Sequence, residues 1–195
     1  MINNRKLFLP ENNYSFFLNK FISYDPQDFT LFTFLKGLIT YLLATDFTLW
    51  GLHAIQHFPK MYKYHKQHHD WVASVAIAGM EGDMPDFFAT TIFPGMVGHF
   101  FSRHIYTSYI MMAIVMWSIL NSHSGYDLGH ISSVAHDAHH KYGKGNYGFF
   151  FDSIFNTTLD LDENEVLIKG GKQPKTPILK KSLIILTIFL VMLCF

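Results

Sequence analysis

The stretch HAIQHFPKMYKYHKQHH, residues 53–69, carries five histidines in 17 positions and no cysteine or acidic residue. On a helix, His53 and His57 lie four residues apart on one face, and His65 likewise pairs with His68 and His69, three and four residues later. If residues 50–69 are helical, each group directs its imidazole rings to one side. The pattern therefore predicts metal binding.

A second group of histidines, HDAHH at residues 136–140, repeats the H-x-x-H-H spacing 71 residues after His65. His123 lies between the two groups, so eight or nine imidazoles are available to one site. A structural zinc ion uses four ligands, which makes two metal ions the economical interpretation. The single cysteine, Cys194, excludes both a disulfide framework and a cysteine-based metal site.

Apolar segments separate the histidine groups. Residues 29–52, FTLFTFLKGLITYLLATDFTLWGL, are long and apolar enough to span a bilayer, which takes about 20 residues. Residues 87–101 and 105–120 are shorter apolar runs on either side of a polar turn, and Pro94 interrupts the first. They predict a helical hairpin that enters the membrane and returns. Residues 179–195 predict a last crossing.

The two histidine-rich regions are predicted to share one aqueous face, because the hairpin returns the chain to the side that residues 29–52 reach. Ten lysines accompany those regions, whereas the opposite side holds four basic residues. The positive-inside rule then places the histidines in the cytoplasm. The formal net charge of +0 at pH 7 gives no sign of a nucleic-acid partner.

These segments predict an all-α integral membrane protein, a helical bundle with a histidine-rich helical cap on its cytosolic side. The expected order is an N-terminal lead-in at residues 1–28 with a short interfacial helix over residues 14–22, a metal-binding membrane domain at residues 29–158, a polar linker at residues 159–178, and a C-terminal transmembrane helix at residues 179–195. His99 and His104 lie at the hairpin turn and are expected to be structural.

Imidazole ligands suit iron, copper, zinc or nickel, so the residues alone do not choose the metal. A ligating histidine donates its other ring N–H to a carboxylate or a carbonyl. The candidate carboxylate acceptors are Asp46, Asp127, Asp137 and Asp152. Asp46 shares a helical face with His53 and His57, which favours a functional role inside the membrane segment. Asp70 is expected to be a solvated acid.

Three functions are compatible with such a site: a dizinc membrane hydrolase, a non-catalytic metal-binding protein and an iron pair that activates dioxygen. Paired hydrolytic sites usually need bridging carboxylates, and the histidine groups contain almost none. Iron with open positions can oxidise C–H bonds, and the apolar hairpin would supply a water-poor slot for a lipid. We therefore favour the iron pair.

The order H-x-x-x-H, H-x-x-H-H, H-x-x-H-H between membrane segments resembles the fatty acid hydroxylase and sterol desaturase superfamily of integral membrane di-iron oxygenases. The approach DFTLW at residues 46–50 is similar to the segment before the family's first motif. HSGYD at residues 123–127 is similar to the segment before the last motif in sterol methyl oxidases and cholesterol hydroxylases. NYG at residues 146–148 and DSIFNTT at residues 152–158 complete the resemblance.

The resemblance implies a cap that holds two iron ions. The implied ligands are His53, His57, His65, His68, His69, His136, His139 and His140, with His123 as the ninth, and the residues expected around them are Asp46, Asp127, Asp137, Asn146 and Asp152. It also implies dioxygen as co-substrate and electrons from NAD(P)H through a reductase, commonly via a b-type cytochrome. In a eukaryote the membrane would be that of the endoplasmic reticulum.

The implied reaction is hydroxylation or oxidation of a C–H bond in a sterol, sphingoid or fatty acyl lipid. Desaturation is the alternative outcome within the same superfamily, because both reactions begin by removing a hydrogen atom.

Overall fold

The structure is a computed structural model that describes residues 21–71, 75–126, 133–159 and 161. These residues are mostly helical and form no β-sheet, as the sequence predicts. The α-helices are α1 (Leu31–Gln56), α2 (Met84–Phe87), α3 (Phe93–Phe101), α4 (Ile105–Ser122), α5 (Ser133–Tyr142) and α6 (Phe150–Phe155). A π-helix at Phe88–Ile92 joins α2 to α3, and 3-10 helices lie at Pro26–Asp28, Tyr62–Tyr64, His68–Asp70 and Ala76–Met80.

Several predicted segments lie outside the described residues. They are most of the N-terminal lead-in with its interfacial helix, Asp127, nearly all of the polar linker, and the predicted last crossing at residues 179–195.

The first long apolar helix starts slightly later and ends later than predicted. α1 begins at Leu31 because Thr30 caps it: Thr33 donates its backbone N–H to Thr30 Oγ1 at 3.2 Å, and Thr30 N–H bonds Thr33 Oγ1 at 2.9 Å. The helix runs to Gln56, so His53 lies on it. Its 26 residues extend about 39 Å, enough to cross a bilayer.

A continuous helix over residues 50–69, the condition under which spacing alone would align the histidine rings, is not observed. α1 stops at Gln56 because Pro59 cannot donate a backbone hydrogen bond and disfavours helical geometry at Phe58. The chain then reverses through short 3-10 turns that carry His68 and His69. The turns bring these rings back toward the end of α1.

The predicted break at Pro94 is not observed either. Residues 84–101 follow one helical path from α2 to α3, about 27 Å long at the rise of an α-helix. Pro94 lacks an N–H, and the wide π-turn just before it accommodates the missing hydrogen bond. Its carbonyl also accepts the Thr45 hydroxyl at 3.4 Å, so α1 and α3 are bonded at this point.

Small residues allow α1 and α3 to pack closely. A Cβ added to Gly98 would lie 2.1 Å from Thr45 Oγ1 and 3.0 Å from the Tyr41 ring. Near the hairpin turn, a Cβ on Gly37 would lie 2.0 Å from the Ser102 carbonyl oxygen. Close approach through small residues is characteristic of helices that pack within a membrane.

We expect Gly98→Ala to destabilise the helix bundle by about 1–3 kcal/mol, because the added methyl overpacks the α1–α3 contact. Gly95→Ala in the same helix is the matched control, since a Cβ there meets nothing within 4 Å. Thermal unfolding in detergent, followed by circular dichroism, measures both. Equal melting temperatures for the two variants would contradict the packing described above.

Polar side chains fill the interior and apolar side chains cover the outside. Thr40, Thr107 and Ser108 are buried between helices, whereas Phe32 on α1 and Trp117 on α4 are exposed. Both α1 and α4 are long and apolar enough to cross a membrane. This arrangement suits a lipid environment, because lipid tails can contact the apolar surface directly.

The hairpin turn lies at the end of α3 away from the 3-10 turn that carries His68 and His69. Arg103 adopts a left-handed conformation there, with φ 65°. His104 Nδ1 accepts the backbone N–H of Tyr106 at 3.1 Å, and its Nε2 bonds the Asp25 carbonyl at 2.9 Å. His99 bonds Ser108 through its ring. Both histidines are thus engaged by local structural contacts, away from the nine histidines predicted as ligands.

Candidate metal centre

Nine histidines gather where α1 and α4 end. One group consists of His53, His57, His65, His69 and His139, and a second consists of His68, His123, His136 and His140. Within each group the candidate ligand atoms all lie within 4.8 Å of one another. All nine histidines predicted as ligands are therefore brought together, in sets of five and four.

Adjacent residues divide between the two groups. His68 and His69 share one 3-10 turn, yet His68 joins the four-histidine group and His69 the five-histidine group. On α5, His139 and His140 divide in the same way. Successive helical residues point roughly 100° apart, since a turn takes 3.6 residues, so an H-H pair serves two neighbouring sites.

The ring nitrogens facing each other are close. In the five-histidine group, His65 Nε2 is 3.0 Å from both His53 Nε2 and His69 Nε2, and His139 Nε2 is 3.1 Å from His69 Nε2. In the four-histidine group, the corresponding Nε2 distances run from 2.9 to 3.3 Å.

The opposite nitrogen of most rings is already engaged. Five rings donate Nδ1–H to a backbone carbonyl. The donors and their acceptors are His53 to Tyr147 (2.8 Å), His57 to Gly143 (3.0 Å), His139 to Gly145 (2.6 Å), His68 to Glu81 (2.9 Å) and His123 to Ile119 (2.9 Å). Because an acceptor occupies the Nδ1 side, each neutral ring keeps its proton there and its Nε2 carries a lone pair.

In two pairs, His53 with His65 and His68 with His123, the Nδ1 of both rings is engaged, so the Nε2 lone pairs face each other with no proton to share. Two acceptor nitrogens at 3.0 or 3.3 Å cannot form a hydrogen bond, so these two contacts are repulsive without a metal ion. A cation bound at about 2.0–2.1 Å from each nitrogen would place neighbouring ligands about 2.9–3.4 Å apart. The observed separations lie in that interval, and the donor set therefore fits metal ions.

The rings are held neutral, as metal binding requires. Burial, with a smaller contribution from His65, lowers the pKa of His57 to about 4. Burial likewise lowers the pKa of His69 to about 3 and, together with the nearby His68, that of His140 to about 2. At neutral pH these imidazoles are uncharged, so they offer lone pairs and do not repel a cation.

One loop supplies three of the carbonyl acceptors. Gly143, Gly145 and Tyr147 present alternate carbonyls to three rings of the five-histidine group. The loop turns through left-handed conformations at Gly143 (φ 64°) and Gly145 (φ 66°), and also at Asn146 (φ 49°). A Cβ on Gly145 would lie 2.6 Å from the Thr157 carbonyl oxygen, so this position favours glycine on both grounds.

Asn146 and Asp152 hold this loop in place. The Asn146 amide donates to the Ala135 carbonyl at 2.7 Å and accepts the Leu159 N–H at 2.9 Å. The Asp152 carboxylate accepts the backbone N–H groups of Tyr147 at 3.0 Å and Gly148 at 2.6 Å. Both predicted residues thus support the rings indirectly, by fixing the carbonyls that the rings bond.

Asp46 requires a correction. It was predicted to accept a histidine N–H, but it caps α6: its carboxylate accepts the N–H of Phe149 and of Phe150 at 2.8 Å, and that of Phe151 at 3.2 Å. An acceptor at a helix N-terminus satisfies backbone donors that have no partner within the helix. Trp50 reinforces the junction by stacking on Phe155, with ring centroids 4.0 Å apart.

Asp86 was missing from the predicted acceptors. Its Oδ1 accepts His65 Nδ1–H at 2.7 Å, and the carboxylate is 2% exposed. Its position two residues into α2, directly before an apolar run, was a signal that could have indicated it. Asp137 on α5 is half-buried, and Asp70 is exposed, as expected.

Gly79 shapes the four-histidine group. A Cβ there would lie 2.6 Å from His123 Nδ1 and 3.0 Å from Ile119 Cγ2. We predict that Gly79→Ala displaces the His123 ring at a cost of about 1–3 kcal/mol, which corresponds to roughly a 5- to 150-fold loss of metal affinity. Titration with Co²⁺ measures the effect. Gly51→Ala is the control, since a Cβ there meets nothing within 4 Å, and an unchanged titration for Gly79→Ala would contradict this role.

The candidate metal centre lies within the part of the chain that matches a known protein family. The sequence profile of the fatty acid hydroxylase family matches residues 38–157, which include all nine histidines. The fatty acid hydroxylase ahd1 of Mycosarcoma maydis is 32% identical over 60% of this chain and 32% of its own length. The Delta(7)-sterol 5(6)-desaturase ERG3B of Gibberella zeae is 29% identical over 58% of this chain and 38% of its own length.

A third relative, the fatty acid hydroxylase domain-containing protein 2 of Macaca fascicularis, is 28% identical over 71% of this chain and 45% of its own length. The aligned part of the chain thus spans between a third and a half of the relatives it matches. No solved structure matches the chain.

Proposed function

The chain belongs to the fatty acid hydroxylase family, and from this premise we propose that it is a membrane oxidoreductase that hydroxylates a lipid C–H bond with two iron ions and dioxygen. The observation that carries the proposal is the pair of histidine groups, whose Nε2 lone pairs converge at 2.9–3.3 Å. The substrate class is a sterol, sphingoid or fatty acyl lipid.

The choice of iron over a hydrolytic zinc pair rests on the ligand set. In the described part of the chain, both groups consist of histidines and include no carboxylate that could bridge two zinc ions. Iron held by imidazoles, with positions left open, activates dioxygen toward C–H bonds. Family membership favours the same choice.

The protein's own contribution is to orient the rings and exclude water. His65 and His139 are 0% exposed, so the space between the rings is shielded from solvent. The carbonyls of Gly143, Gly145 and Tyr147 set the tautomer of three rings and hold them in place. Rigid positioning of this kind reduces the reorganisation needed when the site binds metal and substrate.

A lipid substrate agrees with the surface of the helices. Apolar side chains face outward along α1 and α4, and both helices end at the histidine groups. A lipid chain could therefore reach the site from the bilayer without crossing water. We propose a multi-pass protein with its histidines on the cytosolic side, in the endoplasmic reticulum membrane if the source is eukaryotic.

The reaction also needs reducing equivalents from outside the chain. Insertion of one oxygen atom of dioxygen into a C–H bond, with reduction of the other atom to water, consumes two electrons and two protons. The proposed electron donor is NAD(P)H acting through a reductase or a b-type cytochrome. Desaturation is the alternative, supported by the similarity to a sterol desaturase. Mass spectrometry separates the outcomes, because hydroxylation adds one oxygen atom and desaturation removes two hydrogen atoms.

The test compares lipid profiles of cells that express the chain with those of cells that do not, together with iron content and lipid-dependent oxygen uptake of the purified protein. We expect one lipid class to be oxidised and two irons per chain. Two irons without oxygen uptake on any lipid class would support a non-catalytic metal protein. Zinc with ester or phosphate hydrolysis would support the hydrolase.

A further inference from the structure

Asp86 distinguishes one histidine group from the other. Six rings of the two groups have an Nδ1 partner among the described residues, and His65 is the one whose partner is a carboxylate. The other five rings bond neutral acceptors. A negative charge therefore lies directly behind a ring of the five-histidine group.

His65 occupies the middle of that group. Its Nε2 is 3.0 Å from the Nε2 atoms of both His53 and His69, and its ring is fully buried. A cation bound between these rings would therefore contact His65 Nε2. A charge acting on His65 consequently acts on the metal.

The Asp86 carboxylate is held in position from several sides. Gln56 on α1 donates its amide to the same Oδ1 at 2.9 Å. A Cβ on Gly82 would lie 2.4 Å from Oδ2, so the preceding turn wraps closely around the carboxylate. Thr90 anchors the Asp86 backbone carbonyl at 2.9 Å. The charge cannot move away from His65 without disturbing these contacts.

We propose that Asp86 is a positioning residue that makes the five-histidine group bind a divalent metal more tightly than the four-histidine group. A carboxylate bonded to a ligating imidazole makes that imidazole a stronger donor. A buried dication surrounded by neutral rings also gains from a nearby anion, whose attraction is strong where water is excluded. In the four-histidine group, His68 and His123 bond backbone carbonyls through Nδ1. This inference rests on the proposed metal binding.

The test is a Co²⁺ titration of the full metal-free chain in lipid nanodiscs, with visible absorption and competition by a chelator. Wild-type protein should bind in two steps of different affinity. Asp86→Asn keeps an oxygen acceptor for His65 and Gln56 but removes the charge. We expect it to weaken the tighter step by about 10- to 100-fold and to leave the other within about twofold. Asp83→Asn is the control, since Asp83 is exposed just before α2.

The outcomes separate this inference from the proposed function. Unchanged binding in Asp86→Asn, or equal weakening of both steps, would overturn the role of Asp86 while leaving the metal site in place. Loss of helical structure in the metal-free variant, seen by circular dichroism, would overturn it as well by making Asp86 a residue of the fold. A wild-type chain that binds no Co²⁺ would overturn the proposed function and this inference together.

Discussion

His139→Ala is expected to abolish lipid oxidation and to empty the five-histidine group, while the membrane helices still assemble. His139 is fully buried, its Nε2 lies 3.1 Å from that of His69, and its Nδ1 bonds the Gly145 carbonyl at 2.6 Å. Alanine removes a predicted ligand and also frees the loop that orients His53 and His57. We therefore expect activity to fall to background.

The helices should survive because their packing does not involve His139. α1 and α3 pack through Gly98, Tyr41 and Thr45, none of which belongs to the two histidine groups. Iron analysis, oxygen uptake and circular dichroism on the purified variant measure the three expectations. His99→Ala is the control, because His99 bonds Ser108 near the hairpin turn and should retain activity. Retained turnover in His139→Ala would contradict its assignment as a ligand.

Removal of the metals should lower the melting temperature by about 10 °C. Ligand binding at 1,000 times the dissociation constant stabilises a fold by about 4 kcal/mol, and each kcal/mol shifts melting by about 2–4 °C for a chain of this size. In the metal-free state the Nε2 lone pairs of His53 and His65 would face each other at 3.0 Å, and those of His68 and His123 at 3.3 Å, which weakens the histidine-bearing region further.

Scanning calorimetry before and after chelation measures this change, and adding Fe²⁺ back without oxygen should restore it. Hydrogen exchange should locate the loosened region around the 3-10 turns at Tyr62–Tyr64 and His68–Asp70 and around α5, with α1 and α3 still protected. Chelation should lower the melting temperature of His139→Ala by less than that of the wild type, because only the four-histidine group of this variant could still bind metal. A melting temperature that is unchanged by chelation would show that the histidine groups hold no stabilising metal.

The helical fold and the histidine motifs were accessible from sequence because both depend on local spacing. Runs of apolar residues indicated α1 and α4, and the H-x-x-H-H repeats indicated the rings that converge. The boundaries were less accurate. Pro59 ended α1 before the second motif, whereas Pro94 failed to interrupt residues 84–101 because a π-turn compensated for it.

The ring partners could not be predicted, because every residue carries a carbonyl and spacing does not reveal which one a ring will meet. Asp46 was placed on the correct face of α1, yet its partners lie more than a hundred residues away, at Phe149 and its neighbours. Asp86 was overlooked for the same reason, since only folding brings α2 against His65.

The sequence by itself determined that nine imidazoles would accompany apolar helices, since composition and period are local properties. Only the tertiary structure decided that they divide into five and four, with His68 parted from His69 and His139 from His140. That division follows from the angle between successive side chains and from the direction in which each turn approaches its neighbours. Neither can be known before the helices have packed.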